Sequence, residues 1–202
     1  MSEWSTEERL VEEAVAAIGE GRPIVLPTDT VYGLCSSPLA PESLSRLKQR
    51  TPDQPIALLA SQVEILVELV PELPEDVLHR VLPGRLTLIL PNPEHRFPLL
   101  AGSHPETIGV RVPELRGAAE RIVTRVGAVA ATSANLHGGA DPRRLEDVPE
   151  EILAGCGAVL DGGAVPGTPS TVLDLSGDEP LVLREGAVPA AEALARVAAV
   201  LR

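Results

Sequence analysis

Short apolar runs at Ile24–Leu26, Ile56–Ala60, Leu86–Leu90, Ile108–Val112, Val129–Ala131, Ala158–Leu160, Thr171–Leu175 and Leu181–Arg184 recur along the chain. They are separated by stretches with a helical apolar period, and Pro or Gly closes several of them. Runs this short bury as strands, so the pattern predicts an α/β or mixed α+β sheet with helices on its faces. The first helix is expected over 5–18, opened by a Ser5 to Glu8 capping box and carrying Leu10, Val11, Ala14, Val15 and Ile18 on one stripe. Further helices are expected from Pro41 through Leu47, after a Ser61–Glu64 cap, over Leu115–Val126, and from Pro189 to Leu201. The later strands lie close together and point to antiparallel pairs. The proline-rich stretch Pro91–Pro105 reads as a long surface loop. With 202 residues, 44% of them hydrophobic, and no internal repeat or low-complexity linker, the chain is expected to form one domain, residues 1–202.

Composition removes several classes of function. Formal charge is -12, which opposes a phosphate backbone. No run approaches the roughly 18 apolar residues of a membrane helix, and an N-terminus with Glu3, Glu7 and Glu8 lacks the positive region of a signal peptide, so a soluble, cytoplasmic protein without membrane contact is expected. Cys35 and Cys156 are too few for a disulfide framework. Lys48 is the only lysine and follows Leu47, which rules out a Walker A loop, and neither G-x-G-x-x-G nor G-x-S-x-G occurs. The four histidines have no metal-ligand spacing.

Charge is also uneven. From Arg80 to Arg144 nine Arg stand against five acids, giving +4 and leaving -16 for the rest. A local basic zone on an acidic body suits a small polyanion held in a cleft. Arg111, set inside an apolar strand, must face a carboxylate, a phosphate or solvent.

Polar residues interrupt the apolar pattern in five segments: Pro27–Leu34 with Thr28, Asp29 and Thr30; Lys48–Arg50; Thr107–Pro113; Ala131–Asn135 leading to Gly138, Gly139 and Asp141; and Gly167–Val172 followed by Arg184–Gly186. Strand ends of this kind gather sites in α/β sheets. Each segment alone has an ordinary structural explanation: turn chemistry for Thr-Asp-Thr, a helix C-terminal charge for Lys48 and Arg50.

In this order, PTDTVYGL, KQR, PGRLTLIL, IGVRVP, TSAN, PSTV and LREG resemble the YrdC-like family over about residues 10–188. The resemblance implies a twisted mixed sheet with flanking helices around a deep basic cavity. It also implies a nucleotidyltransferase that condenses L-threonine, bicarbonate and ATP, with Mg2+, to threonylcarbamoyl-AMP and pyrophosphate. A separate complex would then transfer the threonylcarbamoyl group to tRNA adenosine (t6A modification), with little or no direct tRNA binding by the synthase. Carried over by position, Thr30, Arg111, Ala131, Ser133 and Ser170 fall at threonine contacts. Arg50, Gln54, Thr107, Ser133, Asp141 and Arg184 fall at nucleotide contacts, and Lys48 and Arg50 are the expected catalytic pair of the basic motif. The metal ligands stay unassigned. The chain departs from common family patterns at Thr51, Gln54, Leu59, Arg85 and Asp141; Leu59 replaces a histidine and cannot hydrogen-bond. Longer members carry an additional C-terminal domain, which this chain is expected to lack. Two other readings stay open: an RNA-binding module, with only Trp4, Tyr32 and Phe97 as stacking platforms, and a carbamoyl-adenylate domain like that of hydrogenase-maturation proteins, whose zinc-finger motifs do not occur here.

Overall fold

A computed structural model describes residues 5–51 and 53–199. Glu3, Trp4 and the end of the last helix expected at Leu201 lie outside the described residues. The chain order is α1 (Thr6–Gly19), β1 (Ile24–Pro27), β2 (Tyr32–Ser36), α2 (Glu42–Leu47), β3 (Ala57–Ala60), α3 (Val63–Leu69), α4 (Glu75–Val81), β4 (Leu86–Pro91), α5 (Pro98–Ala101), β5 (Thr107–Arg111), α6 (Gly117–Val126), β6 (Ala128–Ser133), α7 (Glu150–Ala154), β7 (Ala158–Val159), β8 (Thr171–Asp174), β9 (Leu181–Arg184) and α8 (Ala190–Ala198).

The strands form one nine-stranded sheet in the order β7-β1-β2-β6-β3-β5-β4-β8-β9. It is mixed: β1/β7, β3/β5 and β4/β8 are parallel and the other neighbours antiparallel. The close-spaced β8 and β9 do pair antiparallel, as their spacing predicts.

Local sequence explains the helix ends. Ser5 and Glu8 form the reciprocal capping box expected of them, Ser5 Oγ accepting the Glu8 N–H at 3.1 Å and Glu8 Oε2 accepting the Ser5 N–H at 2.8 Å. The Ser61 cap does not form: the helix starts one turn position later, behind an extended Gln62 that makes no side-chain cap bond. The stretch 91–105 is also more than a surface loop. Leu100 and Ala101 of α5 are buried, the Ile56 N–H donates to the Leu100 carbonyl at 2.9 Å, and the Ser103 N–H donates to the Asp53 carbonyl at 2.9 Å. At Gly102, φ is +60° and a Cβ would collide with the Asp53 carbonyl, so glycine lets these two segments meet.

Two apolar layers sandwich the sheet. On one face α1 runs along α6, burying Val11, Ala14, Ile18, Ile122 and Val123 against Ile24, Leu26, Cys35, Leu59 and Val129. On the other, Leu44, Leu66, Leu78, Ile152 and Val197, from α2, α3, α4, α7 and α8, join Leu58 and Leu88 in the larger core. Side chains alternate along a strand and paired residues share a face, so register shows which positions lie on the α1/α6 side. Cys35 pairs with Ala131, Gly33 with Ser133, Ala57 with Ala131, and Leu59 with both Val129 and Arg111. The two helices cover only the end of this face near Cys35, Leu59 and Val129. The rest of it is the floor of the site.

Candidate active site

Over that uncovered floor lies a cavity of about 570 Å³, within the size range of small-molecule sites. Gly33, Ala57, Leu59, Thr87, Ile89, Thr107, Gly109, Arg111, Ala131, Ser133, Val172 and Asp174 line it, in large part alternate residues of β2, β3, β4, β5, β6 and β8. Thr28 and Thr30 before β2, Pro169 and Ser170 before β8, and Arg184 on β9 close the sides. Eight of the residues singled out by sequence therefore converge on one space: Thr30, Thr107, Arg111, Ala131, Ser133, Asp141, Ser170 and Arg184.

Arg111 is its electrostatic centre. It is 8% exposed, and its Nη2 donates to Asp29 Oδ1 at 2.5 Å and to Thr30 Oγ1 at 3.0 Å. Asp29 Oδ2 accepts the Glu114 N–H at 3.2 Å, which fixes the carboxylate from its other side. Arg111 Nε is buried with no partner among the described residues. Burial pulls the guanidinium below its ordinary pKa, the Asp29 carboxylate pulls it back, and Arg184 adds a like-charge push. A guanidinium on a cavity wall, held by a carboxylate through one nitrogen, suits an oxyanion ligand.

The hydroxyls around it are held by local bonds. Thr28 Oγ1 donates to the Val31 carbonyl at 2.6 Å and accepts the Thr30 and Val31 N–H groups, each at 3.2 Å, a tight turn that turns Thr30 inward. Ser170 Oγ lies 2.8 Å from Thr87 Oγ1, and the Arg184 Nη2 donates to the Ser170 carbonyl at 2.9 Å. Gly186 makes that packing possible, since a Cβ there would strike the Pro169 and Ser170 carbonyl oxygens. Positive charge is thus local, at Arg111 and Arg184, while Glu106, Asp141 and Asp174 contribute carboxylates to other parts of the wall.

Lys48, Arg50 and Gln54 do not line the cavity, although Pro55, which follows them, does. Lys48 is buried and donates to the backbone of the Ser133–Asn135 segment. Arg50 is half-buried, with Nε and Nη2 both without partners among the described residues, and burial lowers its pKa. Leu59 is an apolar part of the floor, 2% exposed. Sequence reasoning assigned no role to Asp29, Asn135 or Tyr32. The first stands inside the Thr-Asp-Thr segment and the second inside TSAN, but their partners are 82 and 87 positions away, so only the fold reveals them. Tyr32 is fully buried; its hydroxyl donates to the Gly163 carbonyl at 2.8 Å and accepts the Gly162 N–H at 3.0 Å, anchoring the segment that leads to Ser170.

Among the described residues no cluster of three or more His, Cys, Asp or Glu could hold a metal, and no helix is long and apolar enough to cross a membrane.

Known proteins resemble this chain in sequence and fold. The family model for Sua5, yciO and yrdC, described as "Telomere recombination", matches residues 16–186. The threonylcarbamoyl-AMP synthase of Pyrococcus abyssi is 35% identical over 193 residues, covering 92% of this chain and 56% of that protein. The threonylcarbamoyl-AMP synthase of Bacillus subtilis is 32% identical over 194 residues, with the same two coverages of 92% and 56%. The chain therefore spans a little over half the length of these curated relatives. Its fold superposes on the crystal structure of P. abyssi Sua5 complexed with L-threonine with a TM-score of 0.85 at 32% identity, covering 98% of this chain and 60% of that one. On the family match and the shared fold, the chain belongs to the Sua5/YciO/YrdC family.

Proposed function

We propose that the protein is an L-threonylcarbamoyladenylate synthase, which condenses L-threonine, bicarbonate and ATP to threonylcarbamoyl-AMP and pyrophosphate. The observation that carries this reading is Arg111: a buried guanidinium, braced by Asp29, on the wall of a cavity edged by the hydroxyls of Thr30, Ser133 and Ser170. That combination suits a small hydroxy amino acid, its carboxylate on Arg111 and its side chain among hydroxyls. The likeness to a relative solved with L-threonine supports the same assignment.

The reaction asks for placement more than for reactive side chains. The threonine amine, unprotonated, takes up carbon dioxide with loss of a proton, or bicarbonate with loss of water, as a carbamate, and a carbamate oxygen attacks the α-phosphorus of ATP, expelling pyrophosphate. Holding the carbamate against the phosphorus and neutralising charge are the main contributions open to the protein. Arg184, Thr107 and Asp141 on the wall, and Arg50 and Gln54 beside it, are the proposed nucleotide contacts. No covalent nucleophile is needed. A carbamate held against the sheet floor, beside Pro169 and Ser170, would be shielded from the water that otherwise lets it decompose.

Mg2+ is held in such reactions by phosphate oxygens, water and one or two carboxylates. Asp141 and Asp174, single carboxylates on the wall, fit that demand and would hold it. Bound there, the ion supplies charge neutralisation on the phosphates. The product would pass to a separate transfer complex acting on tRNA in the cytoplasm.

The test is to incubate the protein with ATP, Mg2+, L-threonine and carbon-13 bicarbonate and examine the products by mass spectrometry. An adenylate carrying one labelled carbon and threonine is expected; AMP alone, or an unlabelled adduct, refutes the reading.

A further inference from the structure

Asn92 follows β4, is 1% exposed and does not line the cavity. Its amide closes the neck of the 92–105 loop. Asn92 Oδ1 accepts the Arg96 N–H at 3.0 Å, while Nδ2 donates to the Arg96 carbonyl at 2.9 Å and the Pro105 carbonyl at 3.4 Å. One N–H and two carbonyls facing the same amide fix which end is oxygen. The Asn92 N–H also donates to the Glu106 carbonyl at 2.7 Å. His95 and Phe97, on either side of Arg96, both have φ of +49°, a left-handed backbone that residues other than glycine hold only where their surroundings impose it. Asn92 supplies that constraint by gripping both polar groups of the Arg96 backbone. On the outside, the Arg96 guanidinium donates to both oxygens of Glu72, at 2.8 and 2.6 Å.

The loop closed in this way holds one wall of the cavity from behind. Its Leu100 carbonyl accepts the Ile56 N–H and its Ser103 N–H donates to the Asp53 carbonyl, so Gln54 and Pro55 are bracketed by bonds to a single loop. Gly102 sits between the two bonds, where a Cβ would stand 2.2 Å from the Asp53 oxygen and 2.9 Å from the Pro55 nitrogen. The loop then enters β5 at Thr107, whose N–H and hydroxyl both donate to the His104 carbonyl. Arg111, Thr30 and Ser170 are held instead by Asp29, Thr28 and Thr87.

We propose that Asn92 is a positioning residue that acts through the 92–105 loop to set Gln54, Pro55 and Thr107 for the nucleotide, with the amino-acid end of the cavity held independently. The inference rests on the proposed synthase reading and adds to it a residue outside the cavity that governs one of the two substrates.

Two measurements on the full chain test this. Hydrogen exchange read by mass spectrometry reports the coupling without any ligand. Asn92→Asp keeps the shape but turns a carboxylate toward the Arg96 and Pro105 carbonyls, and is expected to speed exchange across residues 53–56 as well as 95–106, with 28–34 unchanged. Calorimetric titration then reads each substrate. Asn92→Asp and Gly102→Ala are both expected to weaken a non-hydrolysable ATP analogue by about 10-fold, while L-threonine stays within about twofold of wild type. Arg96→Met, at a partly exposed side chain, replaces either variant that does not fold by circular dichroism, and should shift the ATP analogue in the same direction by a smaller factor. Unchanged exchange across 53–56 in Asn92→Asp would overturn the inference, as would an ATP analogue bound as in wild type by every folded variant. Equal loss of both ligands would make the loop general scaffold, and loss of L-threonine alone would assign it to the other substrate; either result overturns the inference. A wild-type protein that binds neither ligand while the exchange coupling holds sinks the synthase reading instead, and removes the assignment to a nucleotide with it.

Discussion

Asp29 and Arg111, 82 positions apart in the chain, meet at 2.5 Å with both side chains almost fully buried. The pair is the hinge of the site, because Asp29 holds the Nη2 end of a guanidinium that lines the cavity. Removing one member of a buried pair strands the other and costs about 3–5 kcal/mol. Arg111→Ala is therefore expected to abolish threonine binding and also to lower stability by about that amount, read in urea unfolding. Asp29→Asn, which keeps shape and removes only the charge, is expected to weaken threonine binding at a smaller cost. An Arg111→Ala protein as stable as wild type would show that the pair is not formed.

Arg50 behaves in the opposite way. Its Nε and Nη2 are buried without partners among the described residues, which give the folded state no hydrogen bond from them while it bears the cost of desolvating them. Arg50→Ala is expected to leave the unfolding midpoint unchanged or raised while cutting turnover through weaker ATP affinity. A marked drop in stability would assign Arg50 a structural role.

The difference between these two arginines marks how far the sequence carried. The capping box at Ser5, the strand around Arg111 and the terminal helix were legible because each is set by local chemistry. Tyr32–Ser36 was not read as a strand: every residue of it is buried, so no alternation marks it, and its polar character belongs to the preceding turn. Helix α4 could have been found, since Glu75 and Asp76 open it, His79 and Arg80 close it, and Val77, Leu78 and Val81 form its buried stripe. Lys48 shows what no local pattern reveals. Its motif reads as free positive charge, whereas its ammonium is used by carbonyls brought alongside only when β6 and the segment after it are in place.

Lys48 also gives a pH signature. Burial and the nearby Arg50 pull its pKa down to about 8 from an ordinary 10.5, with Asp141 opposing. Between those values the unfolded chain holds more protons than the folded one, so the group's contribution to stability rises with pH, by up to about 1.4 kcal/mol per pH unit. Cys35 and Cys156, pushed up from 9 to about 12 by burial, act in the reverse sense above pH 9. Comparison of wild type with Lys48→Met isolates the lysine. Wild type should gain stability relative to the variant from pH 8 upward. Parallel stability curves would contradict this.

Substrate choice follows from the hydroxyls of Thr30, Ser133 and Ser170. A site that hydrogen-bonds the substrate hydroxyl rejects valine by about 10⁴ or more, but discriminates serine, one methyl smaller, by only about 1–3 kcal/mol. Serine is expected to be the better competitor in turnover assays; valine outperforming it would show that the side-chain pocket is apolar.

Gly186 tests the back wall. A Cβ there would press on the Ser170 and Pro169 carbonyls, so Gly186→Ala is expected to displace Ser170 together with the Arg184 bound to its carbonyl. Overpacking of this kind costs about 1–3 kcal/mol, and turnover should drop with it. Full activity would mean that the 169–170 segment yields without disturbing the site.

The most direct trial of the whole account is pyrophosphate release from ATP, followed with L-threonine and bicarbonate each left out in turn. Release that needs both is the predicted result. Release that continues without either one would mean that the cavity around Arg111 does not join an amino acid and a one-carbon unit to the nucleotide.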